Sequence, residues 1–465
     1  MSAPSREFHR QARQVTRDLN HRSFVQKALD GYYRKRDEYS ARFRSWQGAR
    51  DLAFEIKFDA INHLDHHLEE FARKAEARGT RVHWCPDGGA ATQTILEIAR
   101  QNNVRSIIKS KSMTTEEIHL NDALEARGFG VFESDLGEYI VQLRHEPPYH
   151  IVFPAMHLTR GQISDLFQSE LGSAPTNDPE ELTMIARRVM RKKFCEADMG
   201  ISGANFAVSE TGMISITENE GNARLTTSLP RIHVAVLGIE KVLPRMEDLA
   251  LFLPMLATSG AGQALTGYNT LIGGPRQPGE ADGPGQFHIV LLDNRRTVIL
   301  ADPEQRDALH CIRCGACLNV CPVFKNVGGH TYGTTYPGPI GSVITPHLRG
   351  LQSWKHLSAA SSLCGACTDA CPVKIDIHHH LLRNRRNAAQ KKPVWWERIL
   401  FAGYIVLMRS PRLYRLGLRL GRIGQKFHPL VEGTRLDPLR AWTATRALPP
   451  LAKTSFREQW KARRR

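Results

Sequence analysis

Two short cysteine blocks constrain this chain more than any other feature of its sequence. The first block is a complete C-x2-C-x2-C-x3-C-P run, and the second keeps the same register but carries Ser361 where its first cysteine is expected. The two blocks contain Cys311, Cys314, Cys317 and Cys321, then Cys364, Cys367 and Cys371. In such runs three thiolates ligate one iron–sulfur cluster and the fourth ligates a second cluster. The spacing therefore predicts two neighbouring clusters, and hence electron transfer.

The ligand sets are predicted to be crossed between the two blocks. Cluster 1 takes Cys311, Cys314, Cys317 and Cys371. Cluster 2 takes Cys321, Cys364 and Cys367. The fourth position of cluster 2 is left to Ser361, to a water molecule or to nothing. We expect two [4Fe-4S] clusters, with a [3Fe-4S] form or a non-cysteine ligand as alternatives for the second.

Zinc and disulfide bonds account for the same cysteines less well. Structural zinc prefers two separated cysteine pairs to a triplet followed by a Cys-Pro. Disulfides are disfavoured because the chain opens without a signal peptide and because the spacing is too tight for a framework of bridges.

The net charge of +16 is concentrated at the carboxyl end of the chain. From Leu381 onward there are 21 Lys and Arg against 4 Asp and Glu. The rest of the chain is nearly neutral, with 42 Lys and Arg against 43 Asp and Glu. This distribution argues against nucleic-acid binding. It favours an acidic partner subunit or an anionic membrane surface, with a solvated extension as the alternative. Since no apolar run is long enough to span a bilayer, we expect a cytoplasmic protein that can lie peripherally on the inner face of the cell membrane.

The chain divides by composition into four segments. We predict a helical N-terminal arm over 1–75, an α/β domain over 76–302, an α-helical two-cluster ferredoxin-like domain over 303–385 and a basic C-terminal region over 386–465. Alternating strand and helix patterns indicate a largely parallel sheet in the second segment. Predicted strands include Val104–Ile108, Tyr139–Leu143, Ile232–Leu237 and Phe287–Leu292. One of the predicted helices runs without a break from Thr115 to Arg127.

The segment Lys109–Glu117 is a candidate substrate site. It follows a predicted strand and opens a helix, and we expect Thr114 and Glu117 to form a capping box. Lys109 and Lys111 then lie near free N–H groups, an arrangement that suits a carboxylate or a phosphate. A capped helix with solvated lysines is the alternative.

A second candidate lies between Gly200 and Gly212, where small residues accompany Asn205 and Glu210. Polar groups from this segment could converge on a ligand, and Glu210 could serve as a catalytic base. The alternative is a tight hairpin in which Glu210 is merely exposed. Asp135 and Glu138 are weaker candidates of the same kind.

At these residues the chain resembles the lactate utilization protein B family. The resemblance rests on Lys109-Ser-Lys-Ser-Met113 and Ser209-Glu-Thr-Gly212, on the first cysteine block, and on Gly328-Gly-His330, Gly338-Pro-Ile-Gly341 and Ser362-Leu-Cys-Gly-Ala-Cys367. It implies an α/β domain similar to sugar isomerases and CoA transferases, followed by a domain with two [4Fe-4S] clusters. It also implies a role in oxidising L-lactate to pyruvate together with other subunits, one of them rich in cysteine.

The leading hypothesis is therefore an electron-transfer subunit of an oxidoreductase complex rather than an enzyme acting alone. The first alternative is the iron–sulfur subunit of a glycolate- or glycerol-phosphate-type dehydrogenase. The second is a redox-sensing protein that binds a small acid without converting it.

Overall fold

The computed structural model describes residues 2–393, 395–443 and 446–463, which form two compact units. The first unit ends at Ala388 and contains the α/β domain together with both cysteine blocks. The second unit begins at Ala389.

Four helices occupy the N-terminal segment. They are α1 (Ala3–Val15), α2 (Leu19–Ser40), α3 (Trp46–Asn62) and α4 (Leu64–Glu76). The side chains of Ser2, Asp18 and Ser45 accept N–H groups at the starts of the first three helices, as N-caps do. Apolar residues of all four helices are buried in the main hydrophobic core, so this segment is packed against the rest of the unit.

An α/β domain follows, and its elements alternate as the sequence predicts. In chain order they are β1 (Arg81–Cys85), α5 (Gly88–Gln101), β2 (Ser106–Lys109), α6 (Met113–Glu117), α7 (Leu120–Glu125), β3 (Gly130–Glu133), α8 (Leu136–Leu143), α9 (Arg160–Leu171), α10 (Pro179–Glu196), β4 (Met199–Ser202), β5 (Phe206–Val208), β6 (Met213–Glu218), α11 (Asn222–Ser228), β7 (Ile232–Gly238), β8 (Val242–Leu243), α12 (Leu249–Ala261), β9 (Tyr268–Ile272), β10 (Gln286–Leu292) and α13 (Arg296–Leu300).

The main sheet has six strands in the order β1-β10-β7-β4-β2-β3, and all its pairs are parallel. Every residue of β7 is buried, as expected for a central strand of a parallel sheet covered on both faces. Because all strands point the same way, the loops that follow β3, β2, β4 and β7 meet at one edge. The α/β fold class is confirmed.

A smaller sheet of four strands has the order β8-β5-β6-β9. The hairpin β5–β6 is antiparallel, and β8 pairs with β5 in parallel. This sheet presents residues 216–220, at and after the end of β6, toward the carboxyl edge of the main sheet, where they line the cavity described below.

Two predicted elements are wrong. The segment Tyr139–Leu143 is part of helix α8, which starts at an Asp135 N-cap. Its apolar run buries Tyr139, Ile140 and Val141 on a helix, and a short apolar run does not distinguish a helix from a strand. The predicted helix Thr115–Arg127 is broken between α6 and α7 by His119, which has a φ of 52°.

The cysteine-rich module consists of short helices. These are α14 (Ala316–Val320), α15 (Pro322–Val327), α16 (Gly338–Arg349), α17 (Leu351–Ala359), α18 (Ala366–Ala370) and α19 (Ile377–Lys391). The longest buried stretch covers Gly338–Pro346 of α16, so this part of the insertion between the two cysteine blocks lies inside the core.

The second unit contains α20 (Trp395–Arg409), α21 (Pro411–Phe427), α22 (Arg440–Thr443) and α23 (Phe456–Arg463). Helices α20 and α21 bury none of their residues. Within the described ranges, no helix is both long enough and apolar enough to cross a membrane.

Candidate iron–sulfur sites and an adjoining cavity

The four cysteines assigned to cluster 1 surround one void in the core. Cys311, Cys314, Cys317 and Cys371 all line it. Its remaining wall is almost entirely apolar, with Ile151 and Ile340 among the lining residues. The structure thus brings Cys371 of the second block to three cysteines of the first.

The other three cysteines, Cys321, Cys364 and Cys367, lie near one another. Burial, followed by the negative charge of Cys321, raises the pKa of the Cys367 thiol to about 12, and Cys364 acts in the same direction. Cys317 of the first set lies on α14, which packs against α18, the helix that carries Cys367, so the two sets are neighbours.

The two blocks have the same backbone conformation. Arg313 and Leu363, each two residues after the start of its block, have φ values of 60° and 57°. The N–H of Arg313 donates to Cys311 Sγ at 3.4 Å, and the N–H of Leu363 donates to Ser361 Oγ at 3.1 Å. Ser361 therefore occupies the position of a first cysteine, and its hydroxyl oxygen accepts the same backbone N–H that the Cys311 sulfur accepts in the first block.

The surroundings of the sulfurs suit a cluster that carries negative charge. The N–H of Ile375 donates to Cys371 Sγ at 3.4 Å. Two guanidinium groups of the N-terminal helices bind carbonyls at the end of α18: Arg36 donates to Ala370 at 3.2 Å and Arg50 to Cys371 at 3.0 Å. Converging thiols, amide donors and nearby cations are the environment that iron–sulfur clusters require.

A cavity of about 320 Å³ lies at the carboxyl edge of the main sheet. Residues 110–114 after β2, Gly203 and Asn205 after β4, and Lys241 after β7 line it. Ligands of open α/β sheets bind in this position. Gly203 allows the close approach of two of these loops, because a Cβ there would lie 2.7 Å from Ser112 Oγ.

One side of the cavity adjoins the cysteine-lined void. Arg313 and Cys314 line both. Lys241 is more than nine-tenths buried, and its ammonium group makes no hydrogen bond or ion pair with any described residue. Burial, followed by the charge of Arg313, lowers the pKa of Lys241 to about 8, so the group stays mainly protonated at neutral pH.

Three carboxylates also line the cavity: Asp135, Glu218 and Glu220. Two of them act in helix capping, since Asp135 accepts the N–H of Glu138 at 3.0 Å and Glu218 accepts the N–H of Ala223 at 2.7 Å. Glu220 accepts the N–H of Leu136 at 3.1 Å. Loss of hydration, and then the charge of Asp135, raise the pKa of Glu220 to about 7.

The structure separates the predicted substrate residues into two groups. Lys111, Thr114 and Asn205 line the cavity. Lys109 does not, because it is completely buried with its ammonium 2.7 Å from Glu133 and 3.0 Å from Glu116. Although burial opposes it, these carboxylates raise the pKa of Lys109.

Glu210 lies away from the cavity. It is exposed at the β5–β6 turn, where its carboxylate accepts the N–H of Met246 at 2.9 Å. This is the hairpin alternative of the sequence analysis. Glu138, the other weak candidate, is buried outside the cavity lining.

The predicted capping box at Thr114 and Glu117 is wrong. The N-cap of α6 is Ser112, whose hydroxyl accepts the N–H of Thr115 at 3.3 Å. Glu117 instead turns into the core to meet Arg296. The pattern of a capping box was present in the sequence, but a buried guanidinium elsewhere in the chain binds the carboxylate more strongly than the start of a five-residue helix could.

This buried ion network connects the α/β domain to the cysteine module. Arg296 donates two parallel hydrogen bonds of 2.9 Å to Glu117 and a third of 2.5 Å to Glu240. From the cysteine module, the Tyr336 hydroxyl donates to Glu117 at 2.6 Å and Arg313 donates to Glu240 at 3.1 Å. The network holds Arg313 and Tyr336, both of which line the cavity.

Sequence reasoning missed Lys241 and Arg313. Lys241 could have been found, since it comes four residues after a correctly predicted strand and therefore lies at the carboxyl edge. Arg313 lies inside the first cysteine block, where only the cysteines were considered as functional residues.

Comparisons with known proteins agree with this architecture. The family models that match are the LUD domain over 68–292, the 4Fe-4S dicluster domain over 307–375 and the lactate utilisation protein B C-terminal region over 377–465. The fold and the cysteine sites thus define an iron–sulfur protein in which a LUD domain is joined to a dicluster module.

Named relatives cover almost the whole chain. Lactate utilization protein B of Shouchella clausii is 47% identical over 90% of this chain and 89% of its own length. The protein of the same name from Bacillus licheniformis is 42% identical over 96% and 94%, respectively. The chain belongs to the lactate utilization protein B family. A solved structure of a DUF162 family protein from Deinococcus radiodurans covers 49% of this chain and 98% of its own, with 13% identity and a TM-score of 0.28.

Proposed function

We propose that this chain is the iron–sulfur electron-transfer subunit of a complex that oxidises L-lactate to pyruvate. The observation that carries the proposal is the pair of neighbouring cysteine sets, in a chain whose family is defined by lactate utilisation. L-lactate loses two electrons and two protons as pyruvate forms, and two clusters that each accept one electron can take up both electrons.

The clusters would be held by the crossed ligand sets. Cys311, Cys314, Cys317 and Cys371 bind one [4Fe-4S] cluster. Cys321, Cys364 and Cys367 bind the other, with Ser361 in the position of the missing thiolate. The shared conformation of the two blocks supports this assignment, because it gives Ser361 Oγ the same place as Cys311 Sγ. An EPR signal of a [3Fe-4S] centre in the oxidised protein would contradict a complete second cluster.

The function is tested by substrate-dependent reduction. The full chain is purified anaerobically with the other proteins of its lactate system, among which we expect a cysteine-rich subunit. L-lactate should reduce the clusters, as followed by EPR, whereas glycolate and glycerol 3-phosphate should not. If L-lactate fails to reduce them with all partners present, the proposal is wrong; reduction by glycolate alone would favour the related dehydrogenases.

We further propose that residues 389–465 attach the protein peripherally to an anionic membrane. This segment carries 18 Lys and Arg against 4 Asp and Glu. Helix α21 presents Arg412, Arg415, Arg419 and Arg422 at spacings of three or four residues, between exposed leucines such as Leu416 and Leu420. Basic amphipathic helices of this kind lie in the interface of membranes that contain anionic lipid.

Charge reversal in the full chain tests the attachment. The triple variant Arg415→Glu, Arg419→Glu, Arg422→Glu should bind phosphatidylserine-containing vesicles at least about 100-fold more weakly, since each basic residue near the surface contributes about 1 kcal/mol. The measurement is co-sedimentation at low salt, and raised salt should release the unmodified chain.

The matched control reverses three exposed arginines of α10, namely Arg187, Arg188 and Arg191. It makes the same change in net charge at a different place and should bind vesicles normally. Equal loss of binding in both variants would show that only net charge matters, and unchanged binding in the α21 variant would reject the membrane contact.

A further inference from the structure

The cavity at the carboxyl edge is placed where a bound molecule would lie beside cluster 1. Cys314, one of the thiols assigned to that cluster, forms part of the wall of the cavity. Gly260 on α12, which also lines the cavity, packs closely against Cys314, since a Cβ at that position would lie only 3.0 Å from the Cys314 carbonyl oxygen. The volume of about 320 Å³ falls at the small end of the range for ligand sites, so it fits a small metabolite rather than a nucleotide.

Several polar groups of the lining have no hydrogen-bond partner among the described residues. Those that carry the argument are the Lys241 ammonium, the Thr114 hydroxyl and the amide nitrogen of Asn205, whose oxygen already accepts the N–H of Thr217 at 2.8 Å. The Ser110 hydroxyl and Arg313 Nη1 are open in the same way. Lys241 and Thr114 are both more than nine-tenths buried. Buried polar groups are nearly always hydrogen-bonded, so donors left open around a cavity indicate that a ligand or water completes them.

Lys57 shows what a purely structural buried lysine looks like in the same region. It is as buried as Lys241, but its ammonium donates to the carbonyls of Glu240 and Val242 at 2.7 Å and 3.2 Å. The chain thus satisfies one of two neighbouring buried lysines with backbone acceptors and leaves the other facing the cavity. A buried charge without a partner destabilises a fold, and it persists where function requires it.

We propose that this chain itself binds a small 2-hydroxy acid in the cavity, with its carboxylate on Lys241 beside Arg313. The assignment rests on the proposed function for the choice of a 2-hydroxy acid. The open donors around the cavity are enough to bind all three oxygens of such a molecule, two in the carboxylate and one in the hydroxyl group. Lys241 and Arg313 supply the positive charge that a carboxylate needs, while Asp135, Glu218 and Glu220 disfavour a second negative group on the ligand.

Binding to the oxidised, cluster-containing full chain tests the site without turnover. Equilibrium dialysis with radiolabelled L-lactate measures the affinity in the absence of partner proteins. Lys241→Met should weaken binding about 10–100-fold, because it removes a charge-assisted hydrogen bond in a buried place. Thr114→Val, which preserves shape, should weaken it about 3–10-fold. Propionate, which lacks the hydroxyl group, should bind the unmodified chain more weakly than L-lactate.

Lys57→Met is the matched control. It should leave the affinity for L-lactate unchanged but lower the thermal unfolding temperature, since it removes a lysine that stabilises two carbonyls. Lys241→Met should unfold at the same temperature as the unmodified chain or higher when no acid is present. This crossed pattern separates a ligand-binding lysine from a structural one.

The two proposals fail in different ways. If Lys241→Met binds L-lactate normally, or if inorganic phosphate binds as tightly as L-lactate, the carboxylate site is wrong, whatever the reduction experiment gives. If L-lactate binds and Lys241→Met abolishes the binding, but L-lactate never reduces the clusters with partners present, the site stands and the electron-transfer function is wrong.

Discussion

Replacing Cys371 by serine should remove cluster 1 and spare cluster 2, although Cys371 belongs to the second cysteine block. Conversely, Cys321→Ser should remove cluster 2, although it belongs to the first. The reason is the crossing of the sets: Cys371 lines the void with Cys311, Cys314 and Cys317, whereas Cys321 lies with Cys364. Each variant should retain about half of the iron and acid-labile sulfide, because one of two clusters remains.

Pairs of variants make the test sharper than iron content alone. The EPR spectrum of reduced Cys371→Ser should match that of Cys311→Ser, and the spectrum of Cys321→Ser should match that of Cys364→Ser. Cys195→Ser is the control, since Cys195 is an exposed free cysteine on α10, and it should retain both clusters. If Cys321→Ser instead resembles Cys311→Ser, each block holds its own cluster and the crossed assignment is wrong.

The cysteine spacing could predict which thiols come together because ligand sets of this kind are local in sequence except for one remote member. The strand Ile232–Leu237 was also predictable, because it is rich in the β-branched and apolar residues that favour a central strand of a parallel sheet. In both cases most of the information lies within a few neighbouring residues.

The cavity could be predicted only in part. Lys111 and Thr114 were found because they follow a predicted strand, and Asn205 was found because it lies among small and polar residues between Gly200 and Gly212. Lys241 and Arg313 come from separate parts of the chain, and only the packing of the cysteine module on the sheet brings them to the same place. Lys109 was predicted to lie in the site but does not line the cavity. It is the last residue of β2, and the pairing of β2 with β3 directs its side chain into the core toward Glu133.

Replacing Arg296 by methionine should destabilise the protein strongly, because this guanidinium is the main partner of two buried carboxylates. The side chains of Glu117 and Glu240 are only 3% and 1% exposed, and Arg296 bonds to both. Although burial disfavours the charge, Arg296 holds the pKa of Glu117 below its ordinary value and, with Arg313, that of Glu240 at about 2. Without Arg296, both carboxylates must either stay charged in an apolar place or take up protons.

The expected loss is about 3–5 kcal/mol in the free energy of unfolding, as is typical when one partner of a buried pair is removed. Anaerobic urea titration of the full chain measures it. Arg245→Met is the control, because the pair Arg245–Glu247 is about 70% exposed and contributes less than about 1 kcal/mol. Adding Glu117→Gln and Glu240→Gln to Arg296→Met should recover part of the loss, since it removes the charges left behind. A loss no larger than that of Arg245→Met would mean that the network does not hold the cysteine module on the α/β domain.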